Sequence, residues 1–201
     1  MNLSNTQRAI VLTLLLILMV ATRGNHFEAI PDASWAAFFI GGFYLRSWTR
    51  WAFPLLMAIA VAVDYFVITA QGMNFWQHYC VSPGYWFLLP AYFSLWMGGS
   101  WLQRHSEGIR WRTLGVTAAS LFVAVVFCQL FSQGGFYWLS DVVANPTFAG
   151  WAKNYNDWLW PFMQTTAIYV GIAAVLHMLI AKTMPALRAP ERDGSADTLR
   201  R

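Results

Sequence analysis

Charge is scarce in this chain. Of its 201 residues only 11% are Asp, Glu, Lys or Arg, against 58% hydrophobic and 17% aromatic. So much apolar surface cannot be hidden in one soluble core and needs lipid as its solvent. Cysteine is nearly absent too: two residues give no disulfide framework and no CxxC pair for zinc or redox work. The sequence has no GxxxxGK[ST] phosphate loop, no GxGxxG and no HExxH, so neither a self-contained ATPase nor a nucleotide-dependent enzyme is expected. No internal repeat stands out, which removes support for a transporter built from duplicated halves. The formal net charge is +4, but the basic residues sit in short segments between apolar runs. That is a topology signal and not a phosphate-binding face, and no nucleic-acid partner is expected.

What the sequence does hold is a series of long apolar runs. Six helices are predicted, approximately Arg8 to Thr22, Ser34 to Leu45, Trp51 to Ala70, Tyr85 to Trp101, Leu114 to Phe131 and Trp158 to Ala181. Roughly 20 residues are needed to cross a bilayer. The second run covers only about 18 Å, so it must extend into its flanks or sit within the bundle. Pro54 falls in the first turn of the third run, where a missing N–H costs little, and Pro90, inside the fourth, predicts a kink. Residues 1–184 are read as one six-span transmembrane domain. Beyond Met184 the prolines, charges and small polar residues predict a disordered cytoplasmic tail over 185–201.

The basic residues test this partition. With an inside N-terminus, Arg8, Arg46, Arg50, Arg104, Arg110, Arg112, Lys182, Arg188, Arg192, Arg200 and Arg201 fall inside, and Arg23 and Lys153 outside. Short cytoplasmic loops are enriched in positive charge, so eleven against two argues for six crossings with both termini in the cytoplasm. Arg8 and the apolar stretch after it also fit a signal peptide. No convincing small-x-small cleavage site follows before Arg23, and the first run is read as a retained span.

Tryptophan gathers at both interfaces, as an aromatic belt requires. The excess lies in two longer outer segments, Gln71 to Gly84 and Ser132 to Asp157, which also hold Tyr79, Phe136, Tyr137, Phe148 and Tyr155. Loops this aromatic are expected to fold back onto the bundle, and they can wall a large planar ligand. Asp64 lies about six residues, some 9 Å, below the outer end of the third helix. A carboxyl at that depth is costly and marks either a functional site or a structural aspartate, bonded to a neighbouring helix or kept protonated. Asp64, Ile68 and Gln71 share one helical face and point a polar stripe toward the outer segment.

Cys80 ends an uncharged stretch at the outer edge, and Pro83 and Gly84 force a turn before the fourth helix. A thiol held near a helix N-terminus has its pKa lowered, which fits a thiolate ligand for a soft or borderline metal. The residues equally allow a buried small hydrophobe, or a partner for Cys128 at similar depth. His78 is placed to ligate the same metal, orient a ligand or cap the loop. His26 with Glu28, and Asn154, Asn156 and Asp157, complete the outer polar set.

With those residues in view, the chain resembles BtuM, the small solitary cobalamin transporters of Gram-negative bacteria. The likeness rests on size, six spans, Asp64 in the third, and the aromatic external stretch ending in Cys80 before Tyr85, and it runs to about Met184. It implies a bacterial inner-membrane, multi-pass protein with a fold similar to the S-component of energy-coupling-factor transporters. It also implies that Cys80 gives its sulfur to the cobalt of cobalamin in place of the nucleotide base, with the corrin in an external pocket. Candidate ligand-binding residues around it are Asp64, Gln71, His78, Tyr79, Tyr85 and Trp86. A corrin has broad apolar faces edged with amides, which suits an aromatic wall with a few polar donors. If the thiolate weakens the bond opposite, or another thiol assists reduction, cyanide leaves cyanocobalamin and Cys80 acts as a decyanating catalyst as well. S-components that share an energising module usually carry Ala-xxx-Ala on the first helix. Here the nearest such spacing is Ala58-xxx-Ala62 on the third, which puts docking to an ATPase module in doubt. The rival readings are a membrane thiol oxidoreductase working with a quinone through Cys80 and Cys128, and an accessory subunit without a ligand.

Overall fold

A computed structural model of the chain describes residues 3–24, 31–106 and 111–183. The described residues form helices and turns only: α1 (Asn5–Arg23), α2 (Ser34–Tyr44), α3 (Thr49–Ala70), α4 (Leu88–His105), α5 (Trp111–Leu139) and α6 (Phe148–Thr183), with three short 3-10 turns. Four stretches are long and apolar enough to cross a membrane: Asn5–Arg23, Arg46–Ala70, Trp111–Leu139 and Phe148–Ala181. α1 begins at a capping box. Ser4 Oγ accepts the Gln7 N–H and Gln7 Oε1 accepts the Ser4 N–H, satisfying two donors that the first turn leaves free. On its outer surface Ile10, Leu14, Ile17 and Val20 are exposed at helical spacing, a stripe suited to lipid.

The short second run sits within the bundle. Every residue of α2 from Ser34 through Gly42 is buried, and the helix is wrapped by α1, α3, α4 and α6. Its closest neighbour is α4, and glycine explains why. Between helices in lipid, burying apolar surface gives little net attraction, so close backbone approach carries the packing. A Cβ on Gly42 would strike the Trp96 carbonyl, and one on Gly99 would strike the Phe39 carbonyl. Ser100 Oγ donates to the Gly42 carbonyl at 3.1 Å across the same crossing. Gly42→Val is therefore expected to force α2 and α4 apart at a cost on the order of 1–3 kcal/mol. The check is a lower melting temperature in detergent, with Gly115→Val, whose added carbon would meet open space, melting close to wild type.

Several expected boundaries move. α5 continues to Leu139 and α6 starts at Phe148, so most of the expected outer loop Ser132 to Asp157 is helix. Asn154, Asn156 and Asp157 lie on α6, and only 140–147 connect the two helices. Aromatic and small residues had masked a helical register that simply continues past the apolar window. α4 begins at Leu88, which puts Pro90 in its first turn, where no intrahelical N–H is lost. Pro54, the sixth residue of α3, instead leaves the Arg50 carbonyl without its i+4 donor. Pro161 lies inside α6. His26, Glu28 and the tail 185–201 lie outside the described residues.

Candidate functional site

The most heavily bonded polar group is one that the charge count had set aside as an outer exception. Arg23, the last residue of α1, is 6% exposed. Its Nε donates to Asp64 Oδ1 at 2.7 Å and its Nη2 to Asp64 Oδ2 at 2.7 Å. Its Nη1 faces Tyr92 Oη at 2.9 Å, and Asp32 Oδ2 and Ser34 Oγ, each at 3.2 Å. Asp32 Oδ1 accepts in turn from the Ser34 N–H and hydroxyl, at 2.8 and 2.6 Å. Tyr85 Oη donates to Asp64 Oδ2 at 2.7 Å. One guanidinium thus joins α1, the start of α2, α3, α4 and the turn between Cys80 and α4. Its planar fork matches a carboxylate in two parallel bonds, which a lysine cannot do.

Asp64 is therefore bonded to a neighbouring helix, and both of its oxygens are engaged. Ile68, on the same face, is buried as well, whereas Gln71, one turn on, caps α3 and is exposed. The stripe thus runs from the buried pair to the surface at the start of the Cys80 segment. Arg23, Asp32, Ser34 and Tyr92 were missed in sequence. The available signal was Asp64 itself, since a charge inside a membrane bundle calls for an opposite one at similar depth.

The segment from Gln71 to Phe87 is built of two short 3-10 turns, Phe75–Gln77 and Pro83–Phe87. Asn74 Oδ1 caps the first through the Trp76 N–H, and Ser82 Oγ caps the second through the Gly84 N–H. Two residues seat the segment. Gly84 packs so closely on Gly135 of α5 that a Cβ would strike its carbonyl, and Tyr85 reaches Asp64. Phe75 is buried beside Tyr65 and Tyr85. Trp76 (72%), Tyr79 (59%) and Trp86 (69%) face outward, so the segment folds back at some aromatics and presents the others. Trp76, Tyr85 and Trp86 join Val61 and Phe75 around a pocket of about 350 Å³.

Cys80 lies between the two turns as a half-buried free thiol. Its backbone N–H donates to His78 Nδ1 at 3.3 Å, so His78 caps the loop, with its ring against Tyr79. The expected lowering of the thiol pKa does not hold. The chain passes from Cys80 into the five-residue Pro83–Phe87 turn, not directly into α4, so no long helix aims its N-terminus at the sulfur. Burial pushes the thiol up, outweighing the opposite pull of the Tyr79 hydroxyl; Asp64 adds a smaller push upward and Arg23 a smaller pull downward. Burial and then the Asp64 carboxylate likewise hold the Tyr85 hydroxyl well above its ordinary value, so it stays protonated and donates. Cys128 is a free thiol wholly buried in α5 among the core side chains.

Among the described residues no three His, Cys, Asp or Glu side chains gather to hold a bare metal ion. No protein-family model matches the chain, and no curated protein matches it.

Proposed function

We propose that the chain is a cobalamin uptake protein of the BtuM kind in a bacterial inner membrane. In this reading it crosses six times with both termini in the cytoplasm, and it binds corrinoid at the external face with the Cys80 sulfur on cobalt. One observation carries it: a free, half-buried thiol on a segment that presents Trp76, Tyr79 and Trp86 as exposed large aromatics beside a pocket. Small-molecule sites span about 300–1,000 Å³, so the 350 Å³ pocket takes one edge of a corrin, and the aromatic rim takes its face. Tyr85 and Asp64 act behind that rim by fixing the segment, and Arg23 holds Asp64. Sulfur donation weakens the bond opposite on cobalt. A cyanide lost there leaves with its electron pair, and the oxidation state of the metal is unchanged.

The six-crossing topology rests on the distribution of Lys and Arg and on buried α2, which needs no lipid-facing surface. A membrane-impermeant thiol reagent added from the periplasmic side is expected to label Cys80 in ligand-free protein. A tag after Arg201 should be cut by protease only from the cytoplasmic side, and cleavage from outside would overturn the topology.

The binding reading is tested with aquocyanocobinamide, which lacks the nucleotide base and offers one exchangeable water. The thiol must shed its proton to bond cobalt, and burial holds that proton in place at neutral pH. Binding should therefore release one proton. Affinity rises about tenfold per pH unit up to the thiol pKa and levels off above it. Equilibrium titrations from pH 6 upward with that slope, and none for Cys80→Ala, support the reading. A slope of zero in wild type contradicts it.

A further inference from the structure

The end of the bundle remote from Cys80 gathers cations that the described residues do not neutralise. Arg46 and Arg50 lie one turn apart where α3 begins, on the face that meets α4. On that face Thr49 Oγ1 accepts from Trp96 Nε1 at 2.9 Å, and Phe53 packs on Phe93 and Trp96. Arg104 stands in the last turn of α4 beside Gln103, whose Oε1 accepts from Arg46 Nη1 at 3.1 Å. All three arginines are exposed. The Arg46 guanidinium has that one bond, and those of Arg50 and Arg104 make no hydrogen bond or ion pair with any described residue. The described carboxylates, Asp32, Asp64, Asp141 and Asp157, all lie toward the opposite end.

Beside these charges α3 touches α4 only sparsely. Phe53 fills the gap between them, with its ring 5.3 Å from that of Phe93. Phe93, Met97 and Trp101 are left exposed on α4 at successive turns, and Arg104 stands one turn beyond Trp101. The result is a shallow apolar track with guanidinium groups at its mouth. An excess of cations on the cytoplasmic side orients a membrane protein wherever on that side they fall. Three of them around one apolar track make an amphipathic site as well. Guanidinium forks match phosphate oxygens in paired bonds, and basic pockets between membrane helices take anionic headgroups. We propose that the mouth of the α3–α4 groove binds an anionic phospholipid, with its phosphodiester on Arg46, Arg50 and Arg104 and an acyl chain along Phe93, Met97 and Trp101. The site takes from the six-crossing reading only the leaflet it faces, the cytoplasmic one, and it needs neither Cys80 nor a corrinoid.

The test is native mass spectrometry of the purified full chain in mild detergent, titrated with phosphatidylglycerol and with phosphatidylcholine of the same acyl chains. Wild type is expected to retain phosphatidylglycerol in preference. Arg50→Gln should weaken it about fivefold, and Arg50→Gln with Arg104→Gln about 25-fold, with phosphatidylcholine unchanged in both. Neither arginine holds another described residue, so both variants should melt close to wild type. Arg8→Gln removes the same charge from the same side of the membrane but on α1, where Arg8 donates only to Asn5, and it should leave the preference as it is. Equal retention of the two lipids by wild type would overturn the site. So would an equal loss with Arg8→Gln, which would show that the basic end attracts anions by net charge alone. Either result leaves the corrinoid reading untouched, because no corrinoid is present in the measurement.

Discussion

Asp64→Ala should destabilise the protein by about 3–5 kcal/mol, the usual consequence of removing one partner of a buried ion pair. The variant strands the Arg23 guanidinium where it is 6% exposed and takes the acceptor from Tyr85. Arg23→Ala should cost a similar amount from the other side, leaving Asp64 with Tyr85 alone and Asp32 with Ser34. Replacing both by alanine should cost much less than the sum of the two single losses, because no charge is then left unpaired. The measurement is the detergent melting temperature of the four proteins in a double-mutant cycle. Additive losses, or single variants that melt with wild type, would show that the pair does not hold the five elements together. The functional counterpart is milder. Asp64→Asn keeps the shape and removes the charge, so the Cys80 segment should stay near its place with a weakened anchor at Tyr85, and corrinoid uptake should fall rather than vanish.

The membrane character of the chain and four of its apolar helices were legible in composition and run length, because lipid-facing residues repeat a signal that no other structure needs. The sequence left two places for α2, extension into its flanks or burial in the bundle, because so short a run cannot face lipid along a full crossing, and the structure takes the second. The ends of α5 and α6 were not. Gln133, Gly134, Gly135, Asn154 and Asp157 lower the local hydropathy and read as loop, yet they occupy helical turns that pack on each other or face outward. Asp64 was singled out as either a functional site or a structural aspartate, but the partner it has was hidden in a topology count. Arg23 ends an apolar run and looks like any flanking arginine until the chain folds it inward against α3, 41 residues away. The behaviour of Cys80 was misjudged for a related reason. Sequence placed it just before a helix, and whether the next residues make a long dipole or a five-residue turn is decided by Pro83, Ser82 and the seat of Gly84 on Gly135.

Cys80→Ala should cut corrinoid affinity by about a hundredfold or more, roughly 3 kcal/mol, with the fold intact. The thiol makes no hydrogen bond that holds another element, and its backbone N–H keeps His78. The aromatic rim of Trp76, Tyr79 and Trp86 would remain and give only weak, metal-independent binding. Buried Cys128 gives the internal control, since Cys128→Ala removes the other thiol without touching the external segment. Its effect should appear in the melting temperature and not in affinity.

The central claim is that the Cys80 sulfur bonds cobalt, and absorption spectroscopy of cyanocobalamin mixed with excess purified protein tests it most directly. Ligand exchange at cobalt changes the visible spectrum of the corrin, and the donor atom determines the change. Wild type is predicted to shift the spectrum to that of a thiolate-ligated corrin, whereas Cys80→Ser, and Cys80→His whose nitrogen merely replaces that of the nucleotide base, leave it close to that in free solution. A wild-type spectrum identical to that of the free vitamin, or the same shift with Cys80→Ser, would contradict the account.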